Sequence, residues 1–277
     1  MTLVLVGTPI GNLGDISPRA AQALSDADTI ACEDTRRTRA LLSHLGLSAG
    51  RRLLSVHGHN EAARVAEVLA LLDAGQRVAV VSDAGMPGIS DPGERMVAAA
   101  SAAGHAVEVV PGPSAVLSAL VLSGLSTSRF CFEGFLPRKG GDRARRMEAV
   151  AAEERTVVLF EAPGRVRQTL ADLAETLGGQ RRVAIARELT KRFEEVWRGT
   201  VEEALEHLDR ADPEAPRGEH VIVVEGAPPR CTPSPEELET ALRARLAAGL
   251  DKRAAIAEVA AETGAPRRSL YEISIRL

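Results

Sequence analysis

Apolar runs alternate with amphipathic stretches over the first 125 residues of the chain. The runs are continuous, as in strands buried on both faces of a sheet, and they are TLVLVG, DTIACED, RVAVVSDAG and HAVEVVPGPSA. Helical patterns lie between them, in DISPRAAQALSDA, RTRALLSHLG, NEAARVAEVLALLDAG and ERMVAAASAAG. Gly75 is placed to end the third of these helices. This alternation predicts an N-terminal α/β domain over residues 1–125, with a parallel sheet covered by helices on both faces.

A second pattern predicts a mixed-sheet α/β domain over residues 126–227. Its strands are TVVLFEAP, RRVAIAREL, EEVWRGT and GEHVIVVEG, and its helices are RVRQTLADLAETLG and VEEALEHLDR. The segment 134–147 at the junction is rich in glycine and basic residues, which favours a mobile loop. PPRCTPSP has the composition of a linker. Residues 234–277 are nearly all helical in pattern, and VAAETGAPRRSLYEI resembles the turn and second helix of a helix-turn-helix.

Composition limits the classes of function. The chain has 277 residues, 45% hydrophobic content and a net charge of −4, so contact with nucleic acid would require local basic patches. Its three cysteines, Cys32, Cys131 and Cys231, are far apart and form no C-x-x-C pair. This spacing argues against a disulfide framework and a metal site, and favours a reducing compartment. The apolar run at the N-terminus is too short for a signal peptide, so we expect a cytoplasmic protein.

Glycine, proline and acidic residues concentrate at the ends of the predicted strands, in GTPIGN, CEDTRR, SDAGMPGISDPG and PGPSA. In parallel sheets, ligands bind beyond the carboxyl ends of the strands, so these loops predict a ligand site. The first loop lacks the G-x-G-x-x-G spacing, and Pro9 removes a backbone donor, so it is not a typical phosphate site. The third loop carries two carboxylates, Asp83 and Asp91, among small residues.

Seven motifs in one order over residues 3–226 resemble the tetrapyrrole methylase superfamily. They are GTPIGNLGDIS, CEDTRRT, VSDAGMPGISDPG, PGPSA, FEAPGR, ARELTK and GEHVIVVEG. Within the superfamily they resemble the branch that methylates a cytidine 2′-hydroxyl of small-subunit ribosomal RNA. The resemblance implies two α/β domains, S-adenosylmethionine in the cleft between them, a homodimer, and small-subunit ribosomal RNA or the assembled small subunit as the substrate. Carried over position by position, the implied cofactor contacts are Ile10, Asp83, Ala84, Gly85, Met86, Pro87, Ser114, Ala115, Phe160, Ala186 and Glu219.

A ribose hydroxyl is a poor nucleophile, so a general base is expected near the transferred methyl group. Glu33 and Asp34 follow the second strand and lead into Arg36 and Arg37, an arrangement suited to a base beside phosphate-binding guanidiniums. Asp34 is favoured for this role, although it is also placed to cap the next helix. His57 is the alternative base, because an ordinary histidine titrates near neutral pH.

Basic residues near the predicted cleft form the expected RNA surface. They are Arg36, Arg37, Arg138, Lys139, Arg143, Arg145, Arg146, Arg187 and Lys191. Three other functions compete with RNA methylation: a methylase of a tetrapyrrole or other small molecule, a dinucleotide-dependent oxidoreductase, and a non-catalytic nucleic-acid-binding module built on the C-terminal helices.

Overall fold

The computed structural model describes residues 1–48, 52–58, 60–210, 218–228 and 234–277. It divides into two compact units, Met1–Ala227 and Pro228–Leu277. The predicted linker falls largely outside the described residues, as do His59 and Cys231. None of the described helices is long and apolar enough to cross a membrane.

The first half of the larger unit contains a five-stranded parallel sheet with the order β3-β2-β4-β1-β5. Its strands are β1 (Thr2–Val6), β2 (Thr29–Cys32), β3 (Arg52–Ser55), β4 (Val78–Val81) and β5 (Ala106–Val110). The helices of this part are α1 (Pro18–Asp26), α2 (Thr35–His44), α3 (Glu61–Asp73), α4 (Glu94–Ala102) and α5 (Ala115–Ser123). The parallel sheet predicted from the continuous apolar runs is confirmed.

Helices cover both faces of this sheet because its central strands are apolar on both sides. On one face, Val4 and Ile30 pack with the buried residues of α1 and α2. On the other face, Leu3 and Val80 pack with those of α3 and α4. Strand β3, at one edge, was not predicted: Leu53 and Leu54 provide only a two-residue apolar signal, and pairing with β2 completes the strand.

The second half contains a mixed five-stranded sheet with the order β6-β7-β10-β8-β9. Its strands are β6 (Phe130–Phe135), β7 (Thr156–Glu161), β8 (Arg182–Arg187), β9 (Glu195–Thr200) and β10 (His220–Val224). The pair β6–β7 is parallel, and β10 runs antiparallel to β7 and β8. The helices are α6 (Gly141–Ala152), α7 (Val166–Leu177) and α8 (Val201–Arg210). The mixed sheet predicted for this region is confirmed.

Helix α5 links the two halves. Its buried side chains Val116, Ala119 and Leu120 pack against Val158 and Ala184 of the second sheet. A division at residue 125 would therefore separate this helix from the sheet that it covers. By its packing, α5 belongs with the second sheet.

Only residues 136–140 of the basic segment 134–147 form a loop between β6 and α6. Helix α6 begins at Gly141, and its buried residues Met147 and Val150 join the core of the second sheet. The apolar spacing that identifies α6 as a partly buried helix extends to Val150. The basic run ends earlier, so the run alone does not contain the full spacing.

The C-terminal unit consists of α9 (Pro235–Ala247), α10 (Lys252–Thr263) and α11 (Arg267–Ser274) around a small core that includes Leu242 and Leu270. Ser234 and Glu237 form a reciprocal capping box at the start of α9. Gly264 ends α10 in the left-handed conformation, as the predicted helix–turn–helix pattern requires.

Candidate active site

Four loops meet at the carboxyl edge of the first sheet, because parallel strands end on the same side. They follow β1, β2, β4 and β5, and they contain the motifs that the sequence singled out. The loop after β4 spans residues 82–93 and is called here the acidic loop.

Gly7 of the first loop allows two backbones to pack closely. A Cβ atom on Gly7 would lie 2.6 Å from the backbone nitrogen of Gly112, and one on Gly112 would lie 2.8 Å from Gly7. Thr8 and Gly85 exchange backbone hydrogen bonds of 2.9 and 3.1 Å, which join the first loop to the acidic loop. Gly85 has a φ of 80°, which favours glycine. The loops after β1, β4 and β5 thus form one rigid floor.

A cavity of about 400 Å³ lies above this floor. Its walls from the first half of the chain are Ile10, Glu33, Arg37, Asp83, Ala84, Gly85, Met86, Ile89, Ser90, Asp91, Ser114, Ala115 and Val116. The second half contributes Phe135, Phe160, Glu161, Ala162, Pro163, Leu189, Glu219, His220 and Val221. The cavity therefore lies between the two sheets of the larger unit, within the size range of small-molecule sites.

Most residues expected to contact the cofactor line this cavity. They are Ile10, Asp83, Ala84, Gly85, Met86, Ser114, Ala115, Phe160 and Glu219. Two expected contacts, Pro87 and Ala186, are not among its lining residues. Ala186 is buried in the core against α5, so its side chain packs behind the cavity wall. Sequence reasoning did not assign Asp91 a role, although it singled out the acidic loop, and it did not identify Phe135.

Three carboxylates concentrate negative charge on one wall. The Oδ1 atom of Asp83 accepts a 2.9 Å hydrogen bond from the backbone nitrogen of Asp34, and its Oδ2 lies 3.5 Å from Arg37 Nη1. Burial and the charge of Asp83 raise the pKa of Glu33. Burial, together with the charge of Glu33, raises the pKa of Asp91 to about 6. Among the lining residues, Arg37 is the only arginine or lysine that faces this cluster.

The acidic loop holds Asp91 in a constrained turn. Ser90 has a φ of 63°, a conformation that is strained for a non-glycine residue. The backbone nitrogen of Gly88 donates to Pro92 O at 3.0 Å and closes the turn around it. The buried carboxylate of Glu61 accepts a 2.9 Å hydrogen bond from Gly93 N, which anchors the far end. Such strain often marks a site whose geometry is used.

Asp34 has a different role from the one predicted. Its carboxylate caps α2 by accepting a 2.7 Å hydrogen bond from Arg36 N, and it also binds the Arg36 guanidinium. The bond with Arg36 holds the pKa of Asp34 well below its usual range. A carboxylate so stabilised in its ionised form is a weak proton acceptor, and it is not among the cavity-lining residues. The geometry therefore does not favour Asp34 as the base.

His57 follows β3 at the same edge and is exposed. It interacts electrostatically with Glu33, but it is not among the residues that line the cavity. Glu33 is thus the one predicted catalytic residue that lies in the cavity wall.

The nine expected RNA-binding residues are in different environments. Arg143 is buried, and its guanidinium binds Asp172, Thr169 and Pro137 O. Because these bonds use its donors within the protein, the structure does not favour Arg143 as an RNA contact. The exposed basic residues of this segment are Arg138, Lys139, Arg145 and Arg146.

The remaining expected RNA contacts are paired with acids. Arg36 binds Asp34, and Arg187 lies 2.8 Å from Glu195. Lys191 Nζ lies 2.9 Å from Glu188 and 3.3 Å from Glu219 at the cavity rim. Lys191 therefore fixes the loop after β8 against the start of β10.

Comparison with known proteins finds a matching protein family and similar named proteins. The model of the tetrapyrrole (corrin/porphyrin) methylases matches residues 2–205. A Synechocystis protein named ribosomal RNA small subunit methyltransferase I is 47% identical over 277 residues, covering 99% of this chain and 98% of that protein. A Thermotoga maritima protein of the same name is 47% identical over 224 residues, covering 81% of this chain and 98% of that protein.

Solved structures share the fold at low sequence identity. Uroporphyrin-III-C-methyltransferase from Thermus thermophilus is 23% identical with a TM-score of 0.58, covering 81% of this chain and 94% of that one. Diphthine synthase is 16% identical with a TM-score of 0.57, covering 82% of this chain and 90% of that one. At these identities the likeness concerns the fold alone.

Proposed function

Because the chain belongs to the family of tetrapyrrole (corrin/porphyrin) methylases, we propose that it transfers a methyl group from S-adenosylmethionine to a cytidine 2′-hydroxyl of small-subunit ribosomal RNA. The observation that carries the proposal is the cavity between the two sheets. It lies at the strand ends where α/β proteins bind ligands, and it combines an acidic wall with apolar surface. A ribosomal substrate also implies the cytoplasm as the place of action.

The cavity walls fit S-adenosylmethionine chemically. This molecule carries a sulfonium, an ammonium, a ribose and an apolar adenine, and it supplies a methyl group bound to the cationic sulfur. Asp83 and Glu33 would hold its cationic part, while Ile10, Leu189 and Phe160 would pack against the adenine. The tight contact of Gly7 with Gly112 leaves no room for a side chain at either position, so it fixes the loops after β1 and β5 against each other.

Asp91 is the residue that we propose as the general base. Its carboxylate lines the cavity, is partly buried and has a pKa raised to about 6, so it is ionised yet basic near neutral pH. It would accept the proton of the ribose hydroxyl on one of its two carboxylate oxygens. Glu33 acts through Asp91, since its negative charge makes Asp91 more basic.

The choice of RNA over a tetrapyrrole rests on the relatives. Relatives that match this chain over nearly its full length, at 41–47% identity, are named for ribosomal RNA. The tetrapyrrole enzymes match only in fold. An oxidoreductase is not favoured, because Gly7 of the first loop packs against the backbone of Gly112 and the loop lacks a dinucleotide fingerprint.

The proposed function has a direct test in cells and in vitro. Deletion of the gene is expected to remove one 2′-O-methylcytidine from small-subunit ribosomal RNA, detected by mapping ribose methylation. The purified protein is expected to restore it with S-adenosylmethionine on small subunits from the deletion strain. An unchanged methylation map, together with normal binding of S-adenosylhomocysteine, would mean that the substrate is not this RNA.

We also propose that the protein is a homodimer, as its family resemblance implies. Exposed apolar side chains support this on two elements: Val107 and Val109 on the edge strand β5, and Leu117 and Val121 on one face of α5. Val121 is 68% exposed and lies one helical turn from Leu117, so α5 presents an apolar strip that a second copy could cover.

Light scattering is therefore expected to give about twice the chain mass of 29.3 kDa. Val121→Asp is expected to shift this mass to the monomer, because a charge in an apolar interface is strongly unfavourable. Phe193→Asp is the matched control, since Phe193 is 70% exposed on the loop before β9. A Val121→Asp protein that stays dimeric would exclude α5 from the interface.

A further inference from the structure

Phe135 is an exposed aromatic residue at the mouth of the candidate active site. It ends β6, and its residue surface is 55% exposed. It borders the cavity described above and also a second groove of about 450 Å³, lined by Glu133, Arg145 and Arg146 among others. A large apolar side chain between two binding spaces indicates a contact with a ligand.

A β-bulge determines where Phe135 points. In the parallel pairing of β6 with β7, Phe132 is opposite Val158, Gly134 is opposite Leu159, and Phe135 is opposite Phe160. Glu133 is therefore an extra residue in β6. Simple alternation would place residues 132 and 135 on opposite faces of the sheet, and the bulge places both on the face that carries Phe160.

Aromatic contacts hold Phe135 in this position. The centroid of its ring lies 5.6 Å from that of Phe160, and the angle between the two ring planes is 58°. The Phe132 ring packs edge-to-face on Phe160, with the two centroids 4.8 Å apart. Phe160 is the less exposed ring, and it lines the cavity but not the second groove. Phe135 is thus a pre-positioned aromatic surface at the border between the cavity and the second groove.

The second groove offers two guanidiniums that can bind an RNA backbone. Arg145 and Arg146 line it, and each is paired with an acid of the same wall, Asp142 and Glu133 respectively. The Arg145–Asp142 pair is exposed on both sides and contributes little, so Arg145 can exchange its partner for a phosphate. The carboxylate of Glu133 is only 21% exposed and holds Arg146 at the groove, where the half-exposed guanidinium can also reach a phosphate. Arg138 and Lys139 lie exposed in the loop between β6 and α6.

We propose that Phe135 is the platform on which a nucleobase of the RNA substrate stacks, with Arg145 and Arg146 binding the adjoining phosphates. This inference rests on the proposed function. It makes Phe135 a substrate-positioning residue in a chain with few aromatic residues, 3% of its composition.

Substitution of Phe135 tests the platform. Phe135→Ala is expected to raise the KM for small ribosomal subunits by about 5- to 150-fold, since stacking of one base contributes about 1–3 kcal/mol. Phe135→Leu keeps an apolar side chain without a π-face and is expected to resemble the alanine variant. Phe135→Tyr keeps the π-face and is expected to restore a KM close to that of the unmodified protein.

The affinity for S-adenosylhomocysteine, measured by calorimetry on each variant, separates the explanations. It is expected to stay unchanged. A loss of this affinity in Phe135→Ala would assign the ring to the cofactor and overturn the proposal, as would a leucine variant with a normal KM. If the unmodified protein does not methylate small subunits at all, the proposed function fails instead, which is a distinct result.

Discussion

Replacement of Asp91 by asparagine is expected to lower the single-turnover rate of methyl transfer by about 10²–10⁴-fold, the usual contribution of a general base. Asparagine keeps the size and one acceptor oxygen but cannot take up a proton. Asp34→Asn is the matched control, because asparagine caps helices about as well as aspartate. It is expected to keep a near-normal rate. The reverse outcome, with Asp34→Asn inactive and Asp91→Asn active, would return the base to Asp34.

The pH dependence follows from the raised pKa of Asp91. The carboxylate is the active form, so the rate is expected to rise as the pH passes through about 6 and to level off above it. In Glu33→Gln this midpoint is expected to move to lower pH, because the charge of Glu33 helps to raise the pKa of Asp91. An unchanged midpoint in Glu33→Gln would mean that the charge of Glu33 does not influence the pKa of Asp91.

The raised pKa of Asp91 also affects the stability of the folded protein, which it lowers as the pH rises. The pKa of Asp91 is higher in the folded state than in the unfolded state, so ionisation opposes folding as the pH rises. Asp91→Asn removes this opposition. The variant is therefore expected to melt at the same temperature as the unmodified protein near pH 4 and at a higher temperature above about pH 6. A lower melting temperature at pH 8 would indicate a structural role for the carboxylate.

Asp83→Ala is expected to weaken the binding of S-adenosylmethionine by about 10- to 150-fold, since a hydrogen bond to a charged group contributes about 1.5–3 kcal/mol. The carboxylate lies in the acidic wall, where it also accepts the bond from Asp34 N. Asp26→Ala, an exposed substitution at the end of α1, is the control for a lost carboxylate elsewhere.

Asp83→Asn separates charge from geometry, because the amide oxygen still accepts the bond from Asp34 N. Calorimetry on this variant is expected to show a greater loss of affinity for S-adenosylmethionine than for S-adenosylhomocysteine, which lacks the sulfonium charge. An equal loss for both ligands would mean that Asp83 acts by shaping the loop. Unchanged affinity in a folded Asp83→Ala protein would exclude a direct contact.

Sequence pattern alone determined the elements that build the site. Continuous apolar runs such as TLVLVG predict buried parallel strands, and parallel strands bring their following loops to one edge. For that reason the acidic loop and the turn at Ser114 were predicted to meet, and they do line one cavity. These conclusions need only local periodicity and the direction of the chain.

The roles of adjacent polar residues were decided by tertiary structure. Glu33 and Asp34 are neighbours in the chain, yet Glu33 lines the cavity while Asp34 turns to cap α2. Arg143 belongs to a basic run, but Asp172 and Thr169, almost 30 residues away, bind its guanidinium. A charge pattern contains no information about such distant partners.

The orientation of Phe135 shows most clearly what the sequence alone cannot predict. Period-two alternation in β6 places it on the face opposite Phe132, and only the register against β7 reveals the extra residue that brings both rings to the Phe160 face. In the same way, α5 follows the first sheet in sequence but covers the second. Sequence determined which segments form strands, helices and loops, because those depend on local periodicity. Tertiary structure decided which side chains share a cavity, because that depends on pairing between segments far apart in the chain.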